Sequence, residues 1–529
     1  MALLGIFLKS LLAVLLFYCF LPFWVPDGFG SKNDDTKKPN FIVILADDIG
    51  WGDLGANLPE LESHTPNLDA VAAGGLRFED FHSAASTCSP SRASLLTGRL
   101  GARTGVTHNF AVQSVGGLPL NETTLAEVLK KSGYTTGLIG KWHLGHHGNY
   151  HPNARGFDYY YGIPYSNDMG CTDAPGYDIP PCPPCPLRRN LTQSFASTGG
   201  GCYTKLALPL MQNRAIVEQP ADLRRLPERY ALRAEQFVEE ASSQGRPYFL
   251  YVALAHMHVP LSRPPMAPPL GPYANSLTEM DILIGRIKAA AYGAAGQDTL
   301  LWFTGDNGPW AEKCNLAGSV GPFVGAWQLE QGGSSAKQTT WEGGHRVPTL
   351  AYWPGRIQGN RTSSALLSTL DIFPTLAALA HTALPANRRY DGTDVSGILF
   401  GQSQEGHRVL FHPNSGAAGT FGRLEAVRLG QYKAFYTTGG APACNGSVGP
   451  AQRHDPPLVF NLHQDPEESS PLVPGSQEYR ALLPDLAKAM GDIMADISTD
   501  NVSVADYGQD PSVVLCCDPK RVACRCTEL

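Results

Sequence analysis

The sequence lacks a surplus of positive charge and, beyond its N-terminus, any long apolar run. Lys and Arg number 41 against 48 Asp and Glu, so the formal net charge is −7, which argues against a general nucleic-acid-binding protein. An anionic ligand would therefore have to be met by a local cluster of Lys, Arg and His. After residue 30 no stretch is long and apolar enough to cross a bilayer, so no stable membrane anchor is expected.

The first 30 residues are different in character from the rest of the chain. Lys9 precedes the apolar run Leu11–Val25, and a polar segment begins at Ser31. The run is shorter than the ~20 residues that a spanning helix needs. The pattern predicts a cleaved signal peptide over residues 1–30, with an uncleaved anchor as the alternative.

A chain of 529 residues is long enough for two domains. Up to about residue 400, buried apolar strands alternate with helical segments, which predicts an α/β domain over residues 31–400. Among these segments, Leu76–Phe81 is predicted to be a short strand and Leu226–Ser243 an amphipathic helix. After Gly401 the pattern changes to short strand-like runs, followed by a helix at about Tyr479–Ile497. The predicted strands are Arg408–Phe411, Glu425–Arg428, Tyr432–Tyr436 and Leu458–Asn461. Residues 401–529 are therefore predicted to form a smaller α+β domain with an antiparallel sheet and a cysteine-rich tail.

The cysteines fit a secreted protein. Of the 12, Cys19 lies in the predicted signal peptide and Cys88 in a motif described below. The remaining ten form three even clusters: Cys171, Cys182, Cys185 and Cys202; Cys314 and Cys444; and Cys516, Cys517, Cys524 and Cys526. The Cys-x-x-Cys motif at 182–185 and the terminal Cys-Cys…Cys-x-Cys could instead bind zinc, but disulfides are favoured in an oxidising compartment.

Five Asn-x-Ser/Thr sequons follow the signal peptide and together predict a glycoprotein. They are Asn121, Asn190, Asn360, Asn445 and Asn501.

Two buried strands end in oxygen-bearing side chains. Asn40–Ala46 is a continuous apolar run that stops at Asp47-Asp48, and Thr299–Thr304 leads into Asp306-Asn307. Either pair could be a solvated turn, but open α/β sheets place their sites just past the carboxyl ends of strands. Four hard oxygen donors suit Ca²⁺ or Mg²⁺ rather than zinc.

Cys88 begins the segment Cys-Ser-Pro-Ser-Arg, which reads as the first turn of a helix. Pro90 is tolerated there, and Arg92 lies one turn after Cys88 on the same face. The unpaired amides of a helix N-terminus favour an anion, so Cys88 is a candidate nucleophile beside a fixed cation. The alternative is a purely structural role, with Cys88 buried or disulfide-bonded near a surface arginine.

Further Lys and His residues follow strand ends. The strand Thr135–Ile139 runs into Lys141 and His143, which an extended backbone would point the same way. The strand Tyr248–Ala255 delivers His256 and His258, for which a satisfied structural role is about as good an explanation as a functional one.

Two polar segments complete the candidates. Lys337 opens the loop Lys-Gln-Thr-Thr-Trp-Glu-Gly-Gly, and Ser166 lies in an aromatic segment, 157–169, that we predict to be a loop.

The order of these motifs resembles the type I sulfatases, a branch of the alkaline-phosphatase-like superfamily, over nearly the whole chain after the signal peptide. The resemblance implies a large, mixed, mostly parallel sheet flanked by helices, with a smaller C-terminal domain of antiparallel sheet plus helix. It also favours a Cys314–Cys444 bridge, and it makes residues 31–400 the catalytic domain.

The resemblance implies that Cys88 is oxidised in the endoplasmic reticulum by a formylglycine-generating enzyme. One hydroxyl of the hydrated aldehyde would attack sulfur, and the second would then expel sulfate and restore the aldehyde. The implied cation ligands, for Ca²⁺ more than Mg²⁺, are Asp47, Asp48, Asp306 and Asn307, with the oxidised Cys88 completing the shell.

The remaining residues receive roles from the same resemblance. Arg92 would stabilise the ionised hydrate, Lys141 would bridge hydrate and sulfate, and His143 would help to remove the second proton. His258 and Lys337 would face the sulfate and the leaving oxygen, one of them as general acid. Ser166 would contact the sulfate, and His256 would be structural.

The implied substrates are glucosamine 3-O-sulfate groups at heparan sulfate chain ends and small aryl sulfates. The implied compartment is the lysosome, reached by the secretory pathway, with some protein secreted or retained in the endoplasmic reticulum. An acidic optimum is expected to keep the histidines largely protonated.

Two other functions stay open at this point. A phosphoester hydrolase of the same superfamily would usually carry Ser or Thr as nucleophile and two zinc ions. An inactive protein that binds sulfated glycans would have lost part of the catalytic set, whereas every member is present here.

Overall fold

The first predicted strand, Asn40–Ala46, lies in the middle of a large sheet. The computed structural model describes residues 38–58, 64–187, 202–203, 206–262, 270–293 and 298–527. The strands of these residues are β1 (Asn40–Ala46), β2 (Leu76–Phe78), β3 (Phe81–His82), β4 (Thr135–Gly140), β5 (Tyr159–Gly162), β6 (Leu210–Gln212), β7 (Ala215–Gln219), β8 (Tyr248–Ala253), β9 (Thr299–Gly305), β10 (Thr349–Tyr352), β11 (Arg361–Ser363), β12 (Leu367–Ser368), β13 (Val409–Pro413), β14 (Leu424–Leu429), β15 (Tyr432–Thr438), β16 (Gln452–Asn461) and β17 (Cys526–Thr527).

Helices flank this sheet and cover the smaller one. The α-helices of the described residues are α1 (Pro66–Gly74), α2 (Cys88–Thr97), α3 (Gly101–Thr104), α4 (Leu125–Lys131), α5 (Leu226–Ser243), α6 (Pro272–Tyr292), α7 (Ala326–Gln331), α8 (Glu342–His345), α9 (Ile372–Leu379), α10 (Ser396–Leu399) and α11 (Gln477–Ser498). The predicted bounds of β1 and α5 are confirmed without change.

The large sheet has the order β11-β2-β10-β9-β1-β8-β4-β5-β6-β7-β17. Its central strands, β9 to β5, run parallel. The outer strands are largely antiparallel, as in the pairs β10–β9 and β5–β6. Because the central strands are parallel, their carboxyl ends lie at one edge, where the predicted site residues follow. The predicted fold class is confirmed.

Both faces of the central strands are buried, which explains why β1 reads as an unbroken apolar run. Phe41, Val43 and Leu45 pack into one core with residues of α2, α4 and α9. Ile42 and Ile44 face the opposite core, which residues of α1, α5 and α6 close. Alternation of side chains along the strand thus serves two hydrophobic layers instead of one.

Two segments differ from the prediction. The apolar run that begins at Leu76 is not one strand, because the chain leaves the large sheet after Phe78 and β3 pairs with β12 in a separate two-stranded sheet. The segment 157–169 is not all loop, since Tyr159–Gly162 forms β5 beside β4. In both cases pairing with a distant strand decides the local conformation.

The smaller sheet is antiparallel with the order β13-β14-β15-β16, and α11 packs on it through Tyr479 and Leu486. The predicted strands and helix of this region are confirmed, although β16 begins earlier than expected, at Gln452. Residues 39–529 form one compact unit that contains both sheets. The domain boundary at residue 400 stays a prediction.

The cysteine clusters close within themselves, as predicted. The disulfides are Cys171–Cys185, Cys182–Cys202, Cys314–Cys444, Cys516–Cys524 and Cys517–Cys526. The zinc alternative for the Cys-x-x-Cys motif at 182–185 and for the terminal Cys-Cys…Cys-x-Cys is wrong, because these sulfurs are used in disulfide bonds. Among the described residues only Cys88 is a free cysteine, and it is buried.

Several sequence predictions concern positions that the structure does not describe or test. The predicted signal peptide and the sequon at Asn190 lie outside the described residues. The asparagines at 121, 360, 445 and 501 are exposed, and their glycosylation stays a prediction. Within the described ranges, no helix combines the length and the apolar character that a membrane crossing requires.

Candidate active site

The carboxyl ends of β1 and β9 bring four oxygen-bearing side chains together. Asp47 and Asp48 follow β1, Asp306 and Asn307 follow β9, and all four are buried. The backbone N–H of Asp48 donates to Asp306 Oδ1 at 3.2 Å, and Asn307 Nδ2 donates to Asp48 Oδ1 at 2.7 Å. The convergence that the strand-end positions predicted is present.

This cluster of oxygens fits a divalent cation. Both donor contacts of Asn307 Nδ2 are made, to Asp48 Oδ1 and Gly308 O, whereas its Oδ1 is buried and has no hydrogen-bond partner within the described part of the chain. A buried carbonyl oxygen without a partner costs free energy unless something supplies positive charge. Three carboxylates and one amide oxygen are the donors that Ca²⁺ and Mg²⁺ prefer.

The pKa values of the three carboxyl groups also show that buried negative charges lie close together here. Burial and the neighbouring Asp47 raise the pKa of Asp306 to about 7. Burial likewise raises the pKa of Asp48. Burial opposes ionisation of Asp47 too, but the charges of Lys141 and Arg92 hold its pKa well below the usual range. A divalent cation among these oxygens would favour the ionised form of all three.

Cys88 begins helix α2 and points at the same place. Thr87 has an extended backbone before the helix, and Gly98 ends it in the left-handed region with φ 68°. The Cys88 thiol donates to Asp47 Oδ1 at 3.5 Å, and Lys141 Nζ donates to Cys88 Sγ at 3.4 Å. The reactive position therefore lies beside the oxygen cluster.

The Cys88 thiol itself is a poor nucleophile in this setting. Burial and the charge of Asp47 raise its pKa to about 12, so it carries a proton at any physiological pH. We expected the helix N-terminus to stabilise a thiolate at Cys88. Desolvation and the carboxylate of Asp47, 3.5 Å away, destabilise the thiolate and outweigh that effect. The thiol needs chemical conversion before it can attack an ester.

Three cations pair with the three carboxylates. Arg92 Nη2 lies 2.8 Å from Asp306 Oδ2, and Lys337 Nζ lies 2.6 Å from Asp48 Oδ1. Lys141 Nζ donates to Asp47 Oδ2 and, at 3.1 Å, to Ser166 Oγ. We call this set the active-site cluster: Asp47, Asp48, Asp306, Arg92, Lys141 and Lys337.

The two candidate histidines lie at its rim. His258 Nε2 is 3.6 Å from Asp48 Oδ2, and its Nδ1 is 2.6 Å from the carbonyl of Val259. His143 Nε2 is 3.1 Å from the carbonyl of Phe110, and its Nδ1 has no partner in the described ranges. The predicted extended alternation at His143 is wrong, since φ is 58° there and the backbone turns at this residue.

The expectation that acidic pH keeps these histidines protonated is also wrong. Burial and the charge of Lys337 lower the pKa of His258 to about 3. Burial together with Lys141 and Arg92 holds the pKa of His143 well below its usual range. Both shifts favour the neutral imidazole, whereas the positive charges of the site belong to the paired Lys and Arg side chains. His256, predicted to be structural, has its Nε2 3.3 Å from Glu279 Oε2.

Sequence reasoning missed Trp310, which lies against the site. Its ring centroid is 4.7 Å from Lys337 Nζ and 5.4 Å from the centroid of the His258 ring. It follows the Gly-Asp-Asn-Gly motif by two residues, and that proximity was the available signal. Asp168 was also missed, although its charge acts on His258 and it is buried next to Ser166.

A second buried set of charges lies between the large and the small sheets. Glu342 Oε1 is 2.8 Å from Lys433 Nζ, and Glu342 Oε2 is 2.6 Å from Arg346 Nη2. Asp80 pairs with Arg428 at 3.1 Å. We call this set the inter-sheet cluster: Asp80, Glu342, Glu468, Arg346, Arg428 and Lys433, with His82 and His412.

The inter-sheet cluster does not suit a metal, although His82, Glu342 and His412 lie close enough together to hold one. Lys433 and Arg346 already occupy the oxygens of Glu342. His82 Nδ1 is 3.1 Å from His412 Nε2, and His82 Nε2 is 2.8 Å from Asp80 Oδ1. The ligand atoms face one another and the cations instead of converging on an empty point.

The fold and this constellation of residues define a sulfatase. A family model described as Sulfatase matches residues 39–382, and one for the C-terminal region of aryl-sulfatase matches residues 405–526. The chain belongs to the sulfatase family and is a sulfuric ester hydrolase, whose family in general carries a formylglycine and a divalent metal.

The chain is similar over its whole length to proteins named arylsulfatase G. It is 63% identical to that of Mus musculus over 524 residues, covering 98% of this chain and 99% of the mouse protein. It is 62% identical to that of Homo sapiens over 530 residues, with the same coverage. Among solved structures, the PsFucS1 sulfatase from Pseudoalteromonas sp. matches with a TM-score of 0.73 and 26% identity, covering 89% of this chain and 92% of that one.

Proposed function

We propose that this chain is a formylglycine-dependent sulfatase with one Ca²⁺ ion, acting on glucosamine 3-O-sulfate groups at heparan sulfate chain ends and on small aryl sulfates. The observation that carries the proposal is the position of Cys88. It is buried at the start of α2, with Asp47 and Lys141 both within 3.5 Å of its sulfur.

Conversion of Cys88 by a formylglycine-generating enzyme resolves the chemical problem at this position. The unmodified thiol has a pKa of about 12 and would form a sulfur-linked product with no easy exit. A hydrated aldehyde at the same carbon supplies one hydroxyl to attack sulfur and a second whose collapse releases sulfate. Asp47 and Lys141 flank the position, so a carboxylate and a cation already lie beside the reacting carbon.

The cation would be held by Asp47, Asp48, Asp306 and Asn307. It would act as a Lewis acid and orient the sulfate. Ca²⁺ is preferred to Mg²⁺ because an all-protein oxygen cage suits the larger ion, whereas Mg²⁺ usually keeps several waters.

The balance of charge in the active-site cluster favours an anionic substrate. Its three carboxylates and three basic side chains cancel, so a bound divalent cation leaves the buried site with net positive charge. Lys141 and Lys337 extend from opposite carboxylates, Asp47 and Asp48, and can donate to sulfate oxygens. Fixed donors in a site shielded from water stabilise developing charge most strongly.

Proton handling on the leaving oxygen falls to Lys337 and His258. The two side chains share Asp48 as a neighbour, at 2.6 Å for Lys337 Nζ and 3.6 Å for His258 Nε2. The neutral form of His258 is favoured, whereas the carboxylate of Asp48 stabilises the charged form of Lys337. Lys337 is therefore the protonated member of the pair and donates to the leaving oxygen. Ser166 orients Lys141 through the 3.1 Å contact and Arg92 keeps Asp306 ionised.

The substrate and the compartment rest on relatives. Similarity to proteins named arylsulfatase G along the whole chain supports aryl sulfates as test substrates and motivates the heparan sulfate proposal. We also propose a lysosomal location, reached by the secretory pathway, for which the disulfide-bonded cysteine clusters are the support within the chain.

The test is desulfation of defined heparan oligosaccharides at acidic pH, together with the mass of the peptide that contains Cys88 in secreted protein. We expect the mass of the aldehyde or its hydrate and release of sulfate from the 3-O position. An unmodified thiol in glycosylated secreted material would favour the sulfated-glycan-binding alternative. Faster cleavage of a phosphate ester than of the sulfate ester of the same alcohol would favour the phosphoester hydrolase.

A further inference from the structure

Trp310 lies between two buried lysines at the border of the active site. Its ring centroid is 4.7 Å from Lys337 Nζ and 4.5 Å from Lys313 Nζ. The centroid of the His258 ring lies 5.4 Å away at an interplanar angle of 52°. One indole therefore contacts both side chains that handle the leaving oxygen in the proposed function.

Each lysine forms an ion pair with a different carboxylate, so the uncharged indole lies between two ion pairs. Lys337 Nζ is 2.6 Å from Asp48 Oδ1, and Lys313 Nζ is 2.8 Å from Asp178 Oδ1. A lysine ammonium is a point charge on a flexible four-carbon stem, and a single carboxylate does not fix its direction. The face of an aromatic ring attracts the ammonium and limits where it can lie.

The indole itself is held from both ends. Its Nε1 donates to Glu312 Oε2 at 3.2 Å, and the carbonyl of Trp310 accepts from the backbone N–H of Lys313 at 2.9 Å. The backbone N–H of Lys337 donates to the carbonyl of Pro309, the residue before Trp310, at 3.1 Å. Lys337 and the indole are thus fixed relative to each other through the main chain as well as through the side chains.

We propose that Trp310 is a positioning residue that keeps the side chains of Lys337 and His258 directed at the leaving oxygen. The inference rests on the proposed function and adds a residue to it. It predicts that loss of the ring slows the enzyme in proportion to how much help the departing alcohol needs from a proton donor. Sulfate binding should change less than the rate, because Lys141 and the cation ligands also hold the sulfate and do not contact the ring.

The experiment compares two substrates of similar shape, 4-nitrophenyl sulfate and 4-methylphenyl sulfate. The nitrophenolate leaves readily without a proton, whereas the more basic methylphenolate depends on protonation. The variants are Trp310→Leu, which removes the ring, and Trp310→Phe, which keeps a smaller aromatic face. Trp327→Leu is the matched control, since Trp327 is also partly exposed but contacts Trp341 and His454.

We expect Trp310→Leu to lower kcat on the methylphenyl ester by about tenfold, the size of a desolvated cation–π contact, with a smaller loss on the nitrophenyl ester and a nearly constant KM. Trp310→Phe should lose about twofold to threefold on the methylphenyl ester alone, because phenyl is the weaker partner. Trp327→Leu should leave the ratio of the two rates at the wild-type value. If Trp310→Leu does not fold, as judged by its Tm, the Phe variant decides.

Equal losses on both esters, a change confined to KM, or an unchanged rate ratio in Trp310→Phe would each overturn the inference. Failure of the proposed function is a separate result, because the wild-type enzyme would then cleave neither sulfate ester.

Discussion

The active-site cluster and the inter-sheet cluster contain the same types of group in similar numbers, yet they are built for different purposes. Each has three carboxylates and three basic side chains, and both are buried. In the inter-sheet cluster the cations span elements, since Glu342 on α8 binds Lys433 on β15. In the active-site cluster the oxygens come from loops after two adjacent strands and leave the Asn307 Oδ1 without a partner among the described residues.

The difference shows which feature marks a functional site. Buried charge alone does not, because a network of ion pairs between two sheets is buried as well. An unpartnered oxygen alone does not either, since the described residues leave both Asn307 Oδ1 and Glu468 Oε1 without a hydrogen bond. What separates the active site is a reactive side chain, Cys88, that no structural need explains and that lies beside the oxygens. Cys88 has no counterpart in the inter-sheet cluster, where His82 and His412 use their facing nitrogens on each other.

The largest effect should come from Cys88→Ala. Removal of the nucleophile is expected to lower kcat by about 10⁴-fold or more, as loss of the nucleophile does in other covalent catalysts. Tm should change little, because the thiol makes only two weak polar contacts. The measurement is turnover of 4-nitrophenyl sulfate beside thermal unfolding. Equal turnover by variant and wild type would remove the proposed mechanism.

Glu342→Gln breaks the inter-sheet cluster and tests its structural role. It leaves Lys433 and Arg346 without their common carboxylate, so we expect a loss of about 3–5 kcal/mol in the free energy of unfolding. Urea unfolding measures this, and the folded variant should keep the kcat/KM of the wild type. The matched control is Glu235→Gln, whose partner Arg286 is about one-third exposed; it should lose under about 1 kcal/mol.

Asn307→Leu tests whether the orphaned oxygen is a cation ligand. Wild-type protein stripped with a chelator should gain about 2.7 kcal/mol of stability when Ca²⁺ is added at a hundredfold excess over its Kd. The variant should lose most of this gain, whereas Asn57→Leu, a buried asparagine that donates to the Trp51 carbonyl, should retain it. An unchanged calcium response in Asn307→Leu would exclude this residue from the cation site.

The smallest effect is the pH dependence that Glu468 contributes. Burial and the charge of Glu342 raise its pKa to about 8. A carboxyl that binds its proton more tightly when folded stabilises the protein below the unfolded pKa, and this stability is lost as pH rises through about 8. Glu468→Gln, which mimics the protonated form, should match the wild type near pH 4 and become progressively more stable than the wild type as the pH rises to about 8. A calorimetric pH series with and without Ca²⁺ gives the measurement, and a calcium-dependent difference would contradict it.

Local pattern was sufficient for the elements whose signal lies within one segment. The unbroken apolar run of β1 and the amphipathic repeat of α5 gave their bounds directly. The capping box of Thr124 and Glu127 likewise marks the start of α4. The edge strand β5 was missed because its conformation comes from pairing with β4, which the sequence of the segment does not record.

The same division holds for the site. Motif order predicted which side chains meet at the candidate site, since each follows a strand end or opens a helix. The neutral state of His258 and His143 was not predictable, because desolvation and the approach of Lys337 and Lys141 decide it. Trp310 was missed for the same reason, as its contacts with Lys337 and Lys313 exist only in the folded chain.

The sequence by itself determined the fold class, the residues of the site and the disulfide clusters, because apolar periodicity, strand-end motifs and cysteine grouping are local and additive signals. Only the tertiary structure decided how the charged side chains pair and which of them lie beside Cys88. Pairing, burial and protonation depend on distances between residues far apart in the chain, and no local pattern encodes these distances.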